Sequence, residues 1–106
     1  MKASRITLSE AAVADICEQA DWYEAQADWK LAKRWEMSVT STLLRISRRP
    51  QAGSPCSFSA TELRGVRRVP VAGFPKHLVF YQTDPDKILV LRIVHGARDL
   101  ESLLSS

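Results

Sequence analysis

The sequence predicts an α+β domain: a short strand, an antiparallel helical hairpin, and then a three-stranded antiparallel meander forming a small sheet packed on the helices. Three observations predict it. Apolar residues recur at spacings of three and four as far as Ile46, the pattern turns strand-like after residue 60, and the stretch between, Pro50 to Ala60, is rich in Pro, Gly and Ser. With 106 residues, 45% of them apolar and 25% charged, the chain matches one hydrophobic core, so residues 1–106 are read as a single domain.

The elements follow in order. Arg5 to Leu8 is a strand candidate, and Ser9 is an N-cap for a helix from Glu10 to about Gln26. Its expected stripe is Val13, Ile16, Ala20 and Tyr23, with Glu10, Asp15, Glu18, Asp21 and Glu24 pointing elsewhere. Asp28 caps a second helix of about twenty residues, with the stripe Ala32, Trp35, Val39, Thr42 or Leu43, and Ile46. It ends at Arg48 and Arg49, before Pro50, where cations suit the negative end of the helix dipole. The few residues around Ala27 fold the two helices back on each other.

Strands are expected at Glu62–Val71, His77–Thr83 and Lys87–His95. Asp84-Pro85-Asp86 is a hairpin turn between the last two, and the Val71–Lys76 connection is also short. Ile88 to Leu91 with Ile93 and Val94 is apolar on both faces, which makes this strand central, covered by helices on one side and in need of a second cover. Leu100, Leu103 and Leu104 suggest a short C-terminal helix.

Net charge is +3 but unevenly spread: residues 37–83 hold seven Lys/Arg against one Asp/Glu, while residues 1–36 hold five against seven. The basic middle attracts a polyanion, whether RNA, DNA or an acidic protein. No segment approaches the length of a membrane span and the N-terminus lacks a signal-like apolar run, so a cytoplasmic location without membrane association is expected, with Cys17 and Cys56 as free thiols. Two histidines and two cysteines lie far apart without paired ligand spacing, and no Gly-rich phosphate loop is present, so neither metal nor cofactor is expected.

Several segments together are specific where each alone is not: Leu8 with Ala11 to Ile16, Ala32-Lys33-Arg34-Trp35, Arg49-Pro50 followed by Gly53, Val66-Arg67-Arg68-Val69, Leu78-Val79-Phe80-Tyr81, and Ile88 to Asp99. In these the chain resembles the RelE/ParE toxin superfamily. The ending His95-Gly96-Ala97-Arg98-Asp99 is more similar to the ParE, plasmid-stabilisation branch than to the ribonuclease branch. The resemblance implies the toxin of a type II toxin–antitoxin system, neutralised by an antitoxin with a ribbon-helix-helix DNA-binding N-terminus. ParE-like toxins poison DNA gyrase, whereas RelE-like toxins cut messenger RNA on the ribosome.

The two activities ask for different chemistry. Strand cleavage by a 2′-hydroxyl needs a general base, a general acid and cations around the phosphate. Arg64, Arg67 and Arg68 on the first meander strand, Arg92 on the last and Arg98 beyond it supply cations, and His95 is the nearby proton carrier, so a ribonuclease would use Arg64, Arg67, His95 and Arg98. RelE-like ribonucleases usually keep a tyrosine or a His-Tyr combination near the C-terminal end. Here Leu100 to Ser106 contains no aromatic residue, which favours a gyrase-directed toxin without a catalytic residue.

Target contacts are then expected at Arg67, Arg68, His95 and Arg98, although strand alternation sends Arg67 and Arg68 to opposite faces. Antitoxin contacts are expected at Trp22, Trp29, Trp35 and Phe80. Structural counterparts exist: His95 as a hydrogen-bonded residue continuing the Leu89, Leu91, Ile93 face, Arg98 and Asp99 as a local ion pair or a cap of the short C-terminal helix, the tryptophans as packing, and His77 as a surface residue.

Overall fold

The computed structural model describes residues 4–96 and 100–104. Strand β1 (Arg5–Leu8) leads into helices α1 (Glu10–Gln26) and α2 (Trp29–Arg48), followed by β2 (Ser54–Pro55), a 3-10 turn at Thr61–Leu63, β3 (Arg67–Val71), β4 (Phe74–Thr83), β5 (Lys87–His95) and α3 (Leu100–Leu104). One five-stranded sheet runs in the order β1-β5-β4-β3-β2. The expected meander forms its antiparallel centre, and β1 joins it parallel to β5 from the far side of the helical hairpin.

Both helices begin at the expected caps. Ser9 Oγ accepts the Ala12 amide at 3.0 Å, and Asp28 Oδ1 accepts that of Leu31 at 2.9 Å, each satisfying an amide that the first helical turn leaves without a partner. The α2 stripe is as expected, with Ala32, Trp35, Val39, Thr42 and Ile46 buried. On α1 the stripe is rotated: Ala12 and Ala20 are buried with Ile16 and Tyr23 beside them, while Val13 is 45% exposed. A small side chain at 12 lets the helix start lie close to β5, where Ser9 N donates to Val90 O at 3.0 Å and Ser9 Oγ to Leu91 O at 2.7 Å.

The first meander strand is shorter than expected. Gly65 takes φ +78, open to glycine but strained for other residues, and the chain turns there instead of extending, so the strand begins at Arg67. Arg64 therefore lies off the sheet, after the 3-10 turn. Strand β4 starts earlier than expected, at Phe74, because Ala72-Gly73 makes a tight turn, with Gly73 at φ +80.

Two cores lie on the two faces of the sheet. Under the helices, Trp35, Val39 and Ile46 meet Val79, Tyr81, Ile88, Val90 and Ile93. The second cover that β5 requires is built from Leu63, Val66, Phe80 and Val94, with Phe58, Leu91 and α3 packed against them. Burying aliphatic and aromatic side chains of this size contributes about 1.5–3 kcal/mol each.

A bulge divides β5. Tyr81 pairs with Val90 and Phe80 with Arg92, so Leu91 has no opposite residue. Leu89, Leu91 and Ile93 therefore do not form one face. Ile88 and Val90 face the helices before the bulge, whereas Ile93 and His95 face them after it.

Candidate functional site

The two ends of the sheet carry different chemistry. At one end, His77 and His95 stand opposite each other on β4 and β5, with ring centroids 5.7 Å apart. His77 is not the surface residue expected. It is half-buried in an aromatic cluster, 4.9 Å from Trp35 and 6.5 Å from Tyr23, and Trp35 and Tyr23 both pack on Phe74. Burial pushes the His77 imidazole below its ordinary pKa, and the neighbouring His95 adds to the effect. The pair opens onto a cavity of about 700 Å³ that Asp15, Glu18, Trp22, Tyr23 and Arg92 also line.

In that wall lies the ion pair of Asp15 and Arg92, with Asp15 Oδ2 2.8 Å from Arg92 Nε and Oδ1 2.8 Å from a terminal guanidinium nitrogen. Asp15 Oδ2 also accepts the Ile93 amide at 2.9 Å. Strand β1 ends opposite Val90, so the carboxylate takes the place of a neighbouring strand along the edge it leaves open. The hydrogen bond to Asp15 raises the Arg92 pKa, against a smaller opposing effect of burial. Arg92 is thereby a tethered residue.

At the other end, Arg67 and Arg68 point to opposite faces as alternation requires. Arg67, opposite Tyr81, turns to the helix side and donates to the carbonyls of Gln51 and Gly53 at 3.1 and 2.7 Å. Arg68, opposite Phe80, is exposed on the other side, close to the Cys56 thiol. Burial raises the pKa of that thiol while Arg68 works against the shift.

Tyr81 is the centre of this end, and its role was not read from the sequence. Its hydroxyl donates to Pro50 O at 2.9 Å and accepts the Gly53 amide at 3.0 Å, holding the loop after α2. Burial raises its pKa, while the Gly53 hydrogen bond and Arg67 lower it. The ring is fully buried, so it serves the loop and not a ligand. The strand pattern Leu78-Val79-Phe80-Tyr81 shows that Tyr81 shares a face with Val79, but the loop it reaches is distant in sequence.

The structure thus does not gather the expected site residues. Arg67 lies opposite Tyr81 and His95 opposite His77, and these partners are four residues apart on β4, about 13 Å at strand spacing. Arg98 lies outside the described residues. Of the expected antitoxin contacts, Trp22 and Trp29 are 55% and 64% exposed, on either side of the hairpin turn. Trp35 and Phe80 are corrected to core residues, both 0% exposed, because each sits at the centre of one of the two sheet-face clusters. No group of three or more His, Cys, Asp or Glu residues suited to a metal exists among the described residues. Nor is any described helix long and apolar enough to cross a membrane.

The structure is thus a helical hairpin laid on one face of a small mixed sheet, with exposed tryptophans at the hairpin tip and arginines around one sheet edge. The sequence matches the family described as the ParE toxin of the type II toxin–antitoxin system parDE, over residues 6–100. The chain belongs to that family of type II toxins. Its structure is similar to a chain of the chromosomal ParDE toxin–antitoxin system from P. aeruginosa, with a TM-score of 0.72 and 15% identity over 88% of this chain and 96% of that one. It is also similar to a chain of the toxin–antitoxin complex RelBE2 from Mycobacterium tuberculosis, with a TM-score of 0.62 and 16% identity over 88% and 98% of the two chains. Among curated proteins, none matches the chain in sequence.

Proposed function

We propose that this toxin inhibits DNA gyrase in the cytoplasm and is held inactive by a cognate antitoxin with a ribbon-helix-helix N-terminus. The observation that carries the choice of target is the separation between Arg67 and His95. A ribonuclease needs its phosphate-binding cations and its proton carrier around one phosphate, within a few Å of each other. Here Arg67 and Arg68 lie at the opposite end of the sheet from the histidine pair, Arg67 is engaged with loop carbonyls, and Arg92, the arginine beside the histidines, is engaged with Asp15. Exposed Arg68 and His95, together with Arg98, are the target contacts in this reading. Trp22 and Trp29 anchor the antitoxin, because large exposed aromatic side chains in otherwise polar surroundings are efficient interface anchors.

The test uses purified toxin in two parallel assays, gyrase supercoiling of relaxed plasmid and cleavage of message bound to translating ribosomes. Inhibited supercoiling that is restored by the antitoxin is the expected result. Ribosome-dependent cleavage with gyrase untouched overturns the reading in favour of an endoribonuclease.

A further inference from the structure

Six arginines fall between residues 45 and 68, where Glu62 is the one acidic residue. Arg45 and Arg48 are spaced i and i+3 in the last turn of α2, so they share one helix face, and Arg49 follows as the C-cap. With Ile46, Ala52 and Val69 they line an open groove of about 410 Å³ between α2, the following loop and β3. Arg67, two residues before Val69 on the same strand face, is fastened to that loop by one guanidinium nitrogen, leaving its other donors unused. Around the short β2 edge the charge continues onto the other sheet face, through exposed Arg68 opposite Ser54 and exposed Arg64, whose carbonyl accepts from Gln82. Among the described residues, none of the six guanidinium groups has a carboxylate within ion-pair distance.

Cations at a helix C-terminus complement the dipole, which accounts for Arg45, Arg48 and Arg49 singly but not for a belt that passes over a strand edge to the far face. Like charges held together without counter-ions repel one another. Their favourable partner is a continuous polyanion that releases its own counter-ions on contact. A peptide carries few carboxylates in unbroken succession, whereas a nucleic acid presents phosphates at every step, and guanidinium matches phosphate with two parallel hydrogen bonds. Recognition of single strands relies on stacking bases against exposed aromatic rings. The exposed rings here, Trp22 and Trp29, lie at the hairpin tip, about 30 Å from Arg49 along α2, and Phe58 near the belt packs into the second core.

We propose that the arginine belt from Arg45 to Arg68 is a binding surface for the phosphate backbone of duplex DNA, independent of base sequence. The α2 end and β3 supply one flank and the residues beyond β2 the other. The surface shares Arg68 with the proposed target contacts, but binding of duplex is read with neither gyrase nor ribosome present, so its failure and the failure of that reading are distinguishable. A toxin that acts on an enzyme working on duplex DNA gains a second point of attachment from it, but the duplex binds the free toxin as well.

The test is fluorescence anisotropy of a labelled 20-base-pair duplex with the purified full chain between 50 and 200 mM salt. The expected result is a dissociation constant of about 1–100 μM, independent of sequence, with a slope of log affinity against log salt of about −0.9 per phosphate contacted. The triple variant Arg45→Gln/Arg48→Gln/Arg49→Gln should flatten that slope by about one unit per arginine removed. The variant Lys30→Gln/Lys33→Gln/Arg34→Gln, which removes the same charge from the start of α2, should leave it unchanged. Arginine modification by phenylglyoxal, read by mass spectrometry on the unaltered protein, should show Arg45, Arg48 and Arg49 protected by duplex, an observation that does not depend on how the variants fold. Equal weakening by both triple variants, tighter binding of a single-stranded 20-mer RNA than of duplex, displacement by polyglutamate of equal charge, or no protection of the three arginines would each overturn the proposal.

Discussion

Asp15 grips Arg92 with two hydrogen bonds of 2.8 Å while its carboxylate also accepts the Ile93 amide at 2.9 Å. One side chain of α1 therefore closes the β5 edge beyond β1 and neutralises a largely buried guanidinium, the two side chains being 8% and 17% exposed. Asp15→Ala removes the counter-ion of the guanidinium and the partner of the Ile93 amide, leaving Arg92 its 3.3 Å bond to Leu103 O. It should destabilise the fold by about 3–5 kcal/mol, most of it the penalty of an uncompensated charge. Asp15→Asn retains part of the hydrogen bonding and should cost less. Urea unfolding of the two variants checks this, and an Asp15→Ala midpoint equal to that of the unaltered protein would show that the pair contributes nothing.

Acid should loosen the aromatic cluster. His77 has a folded pKa lowered from 6.5 by burial and by His95, so the unfolded chain takes up its proton first as pH falls. The stability that depends on neutral His77 is present above about pH 6.5 and is lost as pH drops through the lower folded value. The melting temperature should therefore fall between pH 7.5 and 5.5, and His77→Phe, which keeps a ring against Trp35 and Tyr23, should fall less over the same range. An unchanged slope in that variant would remove His77 as the cause.

Tyr81 and Gly53 should behave as one unit. Tyr81→Phe loses the bonds to Pro50 O and Gly53 N and should cost about 1–3 kcal/mol, because the Gly53 amide is buried and the Pro50 carbonyl partly so. Gly53→Ala places a Cβ against the Tyr81 hydroxyl and should cost a similar amount by overpacking. Combined, the two changes should cost less than their sum, since removing the hydroxyl relieves the closest contact. A double-mutant cycle by chemical denaturation with additive losses would contradict the coupling.

The tryptophans should divide by burial. Trp35→Ala removes a ring that is 0% exposed, 5.2 Å from Phe74 and bonded through Nε1 to Ile16 O, and should lower stability by about 3–5 kcal/mol. Trp22→Ala and Trp29→Ala should change stability by about 0.5 kcal/mol or less, while each weakens antitoxin binding by at least about tenfold. Calorimetric titration with the antitoxin beside thermal melts of each variant separates the two effects. Full antitoxin affinity in both exposed-site variants would exclude the hairpin tip from the interface.

The helical hairpin was legible almost residue by residue, because its information is local. Ser9 and Asp28 are caps, Pro50 is a stop, and Ala32, Trp35, Val39 and Ile46 mark a stripe at helical spacing. The β4–β5 turn and the span of β5 were legible for the same reason. The strand expected from Glu62 failed at Gly65, where the sequence permits both an extended strand and a left-handed turn. What selects the turn is that Leu63 and Val66 can then pack on Phe80, a contact invisible in the local pattern.

The sequence by itself determined the class of the fold, the family, and the concentration of arginine between residues 45 and 68. Periodicity, capping and composition act over a few residues and need no knowledge of distant partners. Tertiary structure decided which of those residues meet. The bulge at Leu91 turned His95 toward His77, Trp35 and Phe80 were drawn into two separate cores, and the open β5 edge gave Asp15 its task. In each case a backbone group or an apolar face had to be satisfied by a residue far away in the chain, and only the packed fold selects that residue.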